Sequence, residues 1–275
     1  MKLQVKELTP LFLKKKGLFY VSKENRMSEN ADISAVSEVL EKANRVVVLT
    51  GAGISAESGI PTFRGKDGLW KNYRAEELAT PSAFDRDPEL VWEWYNWRRG
   101  LIAPKEPNPG HKVLARWETI FPEFALITQN IDGLHDKAGS KNILELHGNI
   151  WKMRCTEEGT VIENLDSPLK EIPPYCPSCG ALLRPHVVWF GESLSPTILQ
   201  RAFLLSSQCE VMFVIGTSAV VQPAASLPLS ATEAGAKIVE ININPTPLTP
   251  YVDISFMGKA GEILPRIDKN INRES

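Results

Sequence analysis

The amino-acid sequence predicts an α/β protein with a Rossmann-like parallel sheet and a second, smaller domain. Three observations favour this class. Short, continuous apolar runs recur between helical stretches, which is typical of parallel strands covered by helices on both faces. A glycine-rich turn follows directly on the first apolar run, as it does in doubly wound folds. Two insertions interrupt the pattern, one helical and aromatic and the other containing three of the four cysteines.

The bulk composition limits the possible classes of protein. A chain of 275 residues, 43% of them hydrophobic, suffices for one large core and a small appended module. A net charge of −2 provides no basic surface for nucleic acid, and no apolar run approaches the roughly 18 residues of a membrane span. Four cysteines are too few for a secreted disulfide framework, and Cys209 beside an apolar run is expected to be a core thiol. We expect a cytoplasmic protein, and a monomer.

The first 30 residues are rich in lysine and lack both an apolar segment and a small-residue cleavage site. This pattern predicts a flexible tail over residues 1–30, with Met27 as a candidate start. A weak transit peptide is the alternative, and Glu7 and Glu24 argue against it.

Five apolar runs are predicted strands of the sheet: 45–50, 124–128, 142–146, 211–216 and 236–242. Each run ends in polar or glycine residues, in the motifs "TGAG", "TQNID", "HGN", "GTS" and "NIN". Ligands of open α/β sheets bind outside the carboxyl ends of the strands. We therefore expect these five ends to converge on one crevice.

The stretch "VVLTGAGISAESGIPTFR" (47–64) predicts a nucleotide site, because glycine and alanine after a strand let backbone N–H groups approach a pyrophosphate. It fits G-x-G-x-x-A, with Ala56 in the third place. Alternatively, the glycines only form a tight turn. The stretch also departs from an ordinary Rossmann half, because the chain continues through Gly59 and Pro61 as an expected loop. The usual second strand with its acidic residue is missing.

The insertion at 67–109 is helical in pattern and contains "LVWEWYNWRRG". The four aromatic side chains of this motif cannot all face one core, and most are expected to pack the small domain. Tyr95 and Arg98 share a helix face because they are three residues apart.

The insertion at 151–183 has the outline of a zinc ribbon, in which two C-x-x-C pairs bind one metal ion. Cys176 and Cys179 form an intact second pair, but the first pair is Cys155 with Glu158 in place of its partner. A carboxylate oxygen can ligate zinc, so a site of three cysteines and one glutamate is chemically possible. The alternative is a module held by hydrophobic contacts, with weak or absent metal.

The motifs "GAGISAESGIPTFRG", "TQNIDGLH", "LHGN", "CPSCG", "RPHVVWFGE", "GTS" and "VEIN" occur in an order that resembles the sirtuins, which are NAD-dependent protein lysine deacylases. "ELATPSAF" and "YNWRR" are similar to the bacterial class III type. The resemblance runs from about Ala31 to residue 275 and implies one catalytic domain in two parts with a cleft between them. The large part comprises 31–66, 110–150 and 184–275, and the small part comprises the helical insert 67–109 and the zinc ribbon 151–183.

The resemblance implies residues for NAD: a phosphate-binding turn, a mobile loop, a nicotinamide-ribose group and an adenosine group. In chain order they are Gly51, Ala52, Gly53, Ser55, Ala56, Phe63, Arg64, Trp70, Gln129, Asn130, Ile131, Asp132, Gly216, Thr217, Ser218, Asn242, Ile243, Asn244 and Ala260. Three cysteines, Cys155, Cys176 and Cys179, are the implied zinc ligands.

His147 is the predicted general base, because it lies at a strand's carboxyl end and an imidazole pKa near about 6.5 suits proton transfer at neutral pH. His111, His135 and His186 are expected to be structural. Asn130 is the second predicted catalytic residue. The resemblance implies attack of the acyl oxygen on the nicotinamide ribose, and then deprotonation of a ribose hydroxyl by His147. The products would be free lysine, nicotinamide and O-acyl-ADP-ribose.

The substrate is expected to be an acylated lysine side chain of a protein. Val188, Trp189 and Phe190 are predicted to line an apolar tunnel for the lysine, and "VVWFGE" to pair with the peptide as an added strand.

Ala79, Tyr95 and Arg98 match the class III pocket for negatively charged acyl groups, so succinyl- and malonyl-lysine are expected substrates beside acetyl-lysine. Alternatively, Arg98 is a solvated helix residue beside Arg99. Rival functions are a protein mono-ADP-ribosyltransferase, a non-catalytic NAD-sensing module and a dehydrogenase.

Overall fold

The computed structural model describes residues 20–21, 26–62 and 78–272. The predicted cofactor residues Phe63, Arg64 and Trp70 lie outside these ranges. The described chain forms a large parallel sheet covered by helices and a small antiparallel sheet beside it. The predicted fold class is confirmed.

The large sheet has seven parallel strands in the order β1-β10-β9-β8-β2-β3-β4. Their bounds are β1 Tyr20–Val21, β2 Arg45–Thr50, β3 Glu123–Thr128, β4 Ile143–Glu145, β8 Val211–Ile215, β9 Lys237–Asn242 and β10 Ile254–Met257. All five predicted strands are present. β10 was not predicted, because it is short and its buried Ser255 interrupts the apolar pattern.

Helices cover both faces of this sheet in the described chain. The described helices are α1 Arg26–Lys42, α2 Ala52–Ala56, α3 Pro81–Arg86, α4 Pro88–Ile102, α5 Pro109–Ile120, α6 Leu134–Lys137, α7 Pro196–Gln208, α8 Leu227–Glu233 and α9 Ala260–Asp268. Of these, α3 and α4 pack against the small sheet. Four of the helices have both a proline in the first turn and a preceding side chain that caps the free backbone N–H groups. The two features fix where the helix starts. The capping residues are Thr80, Asp87, Asn108 and Ser195. None of the described helices is long and apolar enough to cross a membrane.

Successive residues of β2 belong to the two opposite cores, as the two-residue period of a strand requires. Val46 and Val48 pack with α1, α5 and α9 on one face, while Val47 and Leu49 pack on the other face with Ala202 of α7 and with α8. Because both faces are covered, the strand reads in the sequence as a continuous apolar run.

The order of the strands reverses at β2. From β2 the chain proceeds to β3 and β4 on one side, whereas β8 and β9 add on the other side. This reversal creates a topological switch point between the carboxyl ends of β2 and β8, which is where open α/β sheets bind ligands. The long connection from β2 to β3 contains the helical insertion.

The small sheet has the order β6-β5-β7 and is antiparallel, with β5 Gly148–Cys155, β6 Val161–Glu163 and β7 Leu183–Val187. It packs with α3 and α4 around a separate core. In that core the Trp92 Nε1 donates to the Leu183 carbonyl at 2.7 Å. Trp97 is 42% exposed, whereas the other three aromatic side chains of its motif are buried, as expected for a helix that cannot turn all four inward.

The predicted tail over 1–30 includes two elements of regular structure. β1 pairs with β10, and α1 begins at Arg26. The start of α1 is fixed by Arg266 of α9, whose guanidinium pairs with Glu29 and donates to Asn30. These contacts join residues that are 236 or more positions apart, so they have no local signal in the sequence.

Candidate active site

The glycine-rich turn brings the ends of β2 and β8 into backbone contact. A Cβ atom at Gly51 would lie 2.8 Å from the Gly216 oxygen, and one at Gly53 would lie 2.6 Å from the Gly216 Cα. Gly53 N also donates to the Gly216 carbonyl at 2.8 Å. The glycines are therefore required by close backbone packing. The short helix α2 follows the strand at once, and the expected loop through Gly59 and Pro61 comes after this helix.

The polar strand ends converge as predicted. The Gln129 Nε2 after β3 donates to the Thr217 Oγ1 after β8 at 3.0 Å, and the Asn242 Nδ2 at the end of β9 donates to the Thr217 carbonyl at 2.7 Å. Asn130 donates from Nδ2 to the Gly51 carbonyl at 3.1 Å. These bonds join the carboxyl ends of four neighbouring strands into one rim.

A cavity that is partly open to solvent lies beside this rim. Its lining combines apolar side chains with an amide, a carboxyl and a guanidinium group. The lining residues are Ala52, Ser55, Ile60, Pro61, Arg98, Leu101, Ile102, Asn130, Ile131 and Asp132. Such a mixture is typical of a pocket for a small polar ligand group. The apolar members were not predicted, because residues of these types are also common in a core; they are Ile60, Pro61, Leu101 and Ile102.

Asn130 and Asp132 are the polar floor of the cavity. The Asn130 Nδ2 also donates to the Ser55 Oγ at 3.1 Å, which fixes the orientation of the amide. Asp132 accepts from the Leu134 N–H at 2.9 Å. Burial raises the pKa of Asp132, while the Leu134 N–H, the Ser55 side chain and the Arg98 charge oppose that rise.

His147 follows β4 and is half-buried, with its Nδ1 3.0 Å from the Gln129 carbonyl. A carbonyl only accepts, so Nδ1 carries the proton and Nε2 has a free lone pair. Burial lowers the pKa of His147, and the bond to Gln129 opposes this shift. The imidazole is therefore neutral at pH 7 and suited to accept a proton.

Gly148 fixes the chain direction after His147. Its φ is +79°, and a Cβ there would lie 2.1 Å from the His186 carbonyl oxygen. The glycine thus lets β5 start directly against β7, with His147 left at the rim.

His111 and His135 form a buried pair behind the rim, with ring centroids 4.8 Å apart. The His135 Nε2 lies 3.0 Å from the Thr50 Oγ1. Burial lowers the pKa of His111 to about 4. Their packing agrees with the expected structural role. His186 is half-buried on β7.

Arg98 of α4 lines the cavity, and Tyr95 packs beside it in the same helix. Arg98 is 5% exposed, and its guanidinium carbon is 4.9 Å from the ring centroid of Trp94 and 5.6 Å from that of Tyr95. Burial lowers the pKa of Arg98, and the neighbouring Tyr95 and Asp132 oppose this shift. The alternative of a solvated Arg98 beside Arg99 is wrong, since both side chains are buried.

The backbone N–H groups of the segment 188–190 are all hydrogen-bonded within the protein. The three N–H groups donate in turn to the His147 carbonyl, the Glu192 carboxylate and the Ala79 carbonyl at 2.8–2.9 Å. Pairing with a substrate peptide would therefore use other groups of "VVWFGE". The three side chains differ, because Val188 is half-buried, Trp189 is 3% exposed and Phe190 is 48% exposed.

Two residues that were not predicted, Arg184 and Glu192, hold this segment from both ends. The guanidinium donates to both carboxylate oxygens, at 2.6 and 2.9 Å. The one signal in the sequence is the opposite charges that flank an apolar run in "RPHVVWFGE".

The remaining predicted cofactor residues lie along the rim with different exposure. Ile243 is 67% exposed and Ser218 and Asn244 are exposed, whereas Thr217 and Ala260 are buried. Ala56 is exposed on α2.

The predicted zinc residues do come together. The ligand atoms of Cys155, Glu158, Cys176 and Cys179 all lie within 4.8 Å of one another, and the sulfurs of Cys155 and Cys179 are 3.5 Å apart. Zn–S bonds of about 2.3 Å in a tetrahedron place sulfurs nearly 4 Å apart. The four groups therefore fit a tetrahedral ion with three thiolates and one carboxylate oxygen.

Together, the parallel sheet, the glycine turn at its switch point and the adjoining polar cavity define a dinucleotide-binding α/β protein with a small cysteine-containing module. Comparison with family models gives a match to the Sir2 family over residues 51–223. The chain belongs to the Sir2 family, which confirms the resemblance to sirtuins; the class III assignment stays a prediction.

Several relatives are similar over most of their length. An NAD-dependent protein deacylase of Aquifex aeolicus (strain VF5) is 59% identical over 222 residues, covering 81% of this chain and 93% of the relative. One of Pyrococcus furiosus is 52% identical over 248 residues, covering 88% of this chain and 99% of the relative.

Solved structures are also similar. A Sir2 homolog in complex with NAD is 50% identical, with a TM-score of 0.80 over 86% of this chain and 92% of the other. A Sir2 complex with a p53 peptide and NAD⁺ is 34% identical, with a TM-score of 0.76 over 86% of this chain and 96% of the other.

Proposed function

We propose that the protein is an NAD-dependent protein lysine deacylase that removes acetyl and also acidic acyl groups. One observation carries the proposal: His147, with Nδ1 held by the Gln129 carbonyl, lies on the rim that also bears Asn130 and Thr217. The relatives named NAD-dependent protein deacylases support the reaction class. The Sir2 complex with a peptide supports a protein substrate.

The residues along the rim fit an NAD molecule. The turn at Gly51 to Ser55 faces the switch point, where a pyrophosphate is received, and Thr217 and Asn242 are assigned to the adenosine half. Asn130 and Asp132 are assigned to the nicotinamide and its ribose. NAD, when bound, supplies the ADP-ribosyl group that accepts the acyl group and the nicotinamide that leaves.

The chain's own groups then have distinct tasks. His147 accepts a proton at Nε2, and the Gln129 carbonyl stabilises the imidazolium that forms, because it accepts the Nδ1 hydrogen bond. Asn130 positions polar groups in the cavity through its fixed amide. The apolar side chains of the lining disfavour water at that part of the cavity, where water would otherwise compete as the acceptor.

The acidic acyl preference rests on Arg98 and Tyr95. A buried guanidinium offers a planar set of donors to a carboxylate, and its burial strengthens the attraction because screening by water is small. Ala79 belongs to the same buried cluster as Tyr95, and its small side chain leaves space there. In the zinc module, Cys155, Cys176, Cys179 and Glu158 would hold a structural ion that joins the turns of the small sheet.

The test is a panel of acetyl-, succinyl- and malonyl-lysine peptides with NAD, analysed by mass spectrometry for free lysine peptide, nicotinamide and O-acyl-ADP-ribose. We expect all three products, and His147→Ala should abolish them. His186→Ala is the matched control, because His186 lies on β7 away from the rim bonds. Undiminished deacylation by His147→Ala would overturn the proposed mechanism.

The same panel distinguishes the rival functions. Transfer of adenine-labelled ADP-ribose to protein in excess of deacylation indicates a mono-ADP-ribosyltransferase, and NAD binding without any turnover indicates an NAD-sensing module. The cytoplasmic location and the monomeric state stay predictions, which cell fractionation and light scattering would test.

A further inference from the structure

The hydroxyl of Tyr95 is oriented by a tryptophan. Trp189 Nε1 donates to the Tyr95 oxygen at 2.9 Å, and the two side chains are 3% and 1% exposed. An indole N–H can only donate, so the phenol oxygen is the acceptor in this bond. The single O–H of Tyr95 must therefore point away from Trp189.

Trp189 is itself held from several sides. The Arg184 guanidinium carbon lies 3.5 Å from its ring centroid, and the Phe84 ring centroid is 5.3 Å away. Glu192 accepts from both the Arg184 guanidinium and the Trp189 backbone N–H, at 2.6 to 2.9 Å. These contacts fix the orientation of the indole, and with it the direction in which Nε1 donates.

Arg98 provides the second donor of the pocket. Its guanidinium lies 5.6 Å from the Tyr95 ring centroid and lines the cavity. Because Trp189 occupies a lone pair of the phenol oxygen, the Tyr95 O–H is left to donate to another acceptor, and the Arg98 guanidinium lies beside the same ring. A carboxylate has two oxygens, which matches two neighbouring donors.

We infer that Trp189 is a specificity-determining positioning residue, which aims the Tyr95 hydroxyl at the terminal carboxylate of an acidic acyl-lysine. The inference rests on the proposed function and names the residue that sets its preference. It also revises the expected tunnel-lining role of Trp189, since the buried indole lies against Tyr95. A phenylalanine at this position would fill most of the same space and would lack the N–H.

The experiment compares Trp189→Phe, Tyr95→Phe and the double variant on succinyl- and acetyl-lysine versions of one peptide. A misdirected donor to a charged acceptor weakens recognition about tenfold. We expect the ratio of kcat/KM for the succinyl peptide to kcat/KM for the acetyl peptide to fall about tenfold in Trp189→Phe. The change should be mainly in the KM of the succinyl peptide.

Tyr95→Phe should lower this ratio by at least as much, and the double variant should lower it no further, because Trp189 acts through the phenol. Phe84→Leu is the matched control: it loosens the packing of the same indole while the N–H remains, so it should change both substrates equally. Circular dichroism and thermal melting establish that each variant is folded.

Equal losses on the two peptides in Trp189→Phe, or a further fall of the ratio in the double variant, would overturn the inference. These outcomes differ from failure of the proposed function, in which the wild-type protein removes neither acyl group. A wild type that deacetylates without desuccinylating would also overturn the inference.

Discussion

The buried pair of His111 and His135 makes the stability of the fold sensitive to mild acid. Neither nitrogen of His111 nor the Nδ1 of His135 has a hydrogen-bond partner within the described chain. Burial lowers the pKa of His111 to about 4. Burial, and next the neighbouring His111, lower the pKa of His135 well below its usual value. Both rings are therefore neutral in the folded protein under conditions in which the unfolded chain binds protons.

The sign and size of the effect follow from proton linkage. Below the unfolded pKa of about 6.5, the unfolded state binds more protons, so the free energy of unfolding decreases as the pH falls. Each pH unit between this value and the folded pKa lowers it by about 1.4 kcal/mol per histidine. At pH 5, His111 alone should reduce the free energy of unfolding by about 2 kcal/mol, and His135 should add to this loss.

The assay is urea unfolding at pH 7.5, 6 and 5, for the wild type and for His111→Gln, which has no titrating group. We expect the variant to be less stable at pH 7.5, because it perturbs packing, and to lose about 2 kcal/mol less between pH 7.5 and 5 than the wild type. His186→Gln is the comparison: burial, and next Arg154, also lower the pKa of that half-buried imidazole, but less than in His111, so this variant should reduce the pH slope by less. An unchanged pH slope in His111→Gln would refute the linkage argument.

Two further predictions concern the acyl pocket and the metal. Arg98→Met should lower the succinyl-to-acetyl ratio of kcat/KM by the equivalent of about 2 kcal/mol, because it removes a charged donor from a buried pocket; equal losses on both peptides would contradict the pocket assignment. Metal analysis should find about one zinc per chain. Glu158→Cys should retain zinc longer against a chelator than the wild type, and Glu158→Ala should release it faster. Zinc retention that is identical in all three proteins would show that Glu158 is not a ligand.

The large sheet was predictable because its central strands are covered on both faces. Val46 to Leu49 alternate between two cores, so the strand reads as an unbroken apolar run, and its polar end marks the crevice. β10 is different: its Ser255 hydroxyl donates to the buried carboxylate of Glu240 at 2.8 Å. A strand stabilised by such a polar contact does not show the pattern of an apolar strand.

The candidate site was predictable in its members but not in its orientations. Positions such as Asn130 and His147 follow strand ends, which fixes their place. The sequence of α4 does not show which side of the helix faces the core. The burial of both Arg98 and Arg99 was therefore not predicted. Likewise, a tryptophan that lines a tunnel and one that orients a phenol have the same appearance in "VVWFGE".

The glycine turn shows how a sequence pattern can predict the right site for an incomplete reason. The sequence suggested glycines that let a ligand approach, but their missing side chains face Gly216 and Thr217. A Cβ at Gly51 or Gly53 would push the end of β2 away from the end of β8. That displacement would lengthen the 3.0 Å bond from Gln129 to Thr217, and the carbonyl of Gln129 also holds His147. The glycines therefore support ligand binding and the base by the same means, the contact of two strand ends, and an alanine at Gly53 should weaken both together.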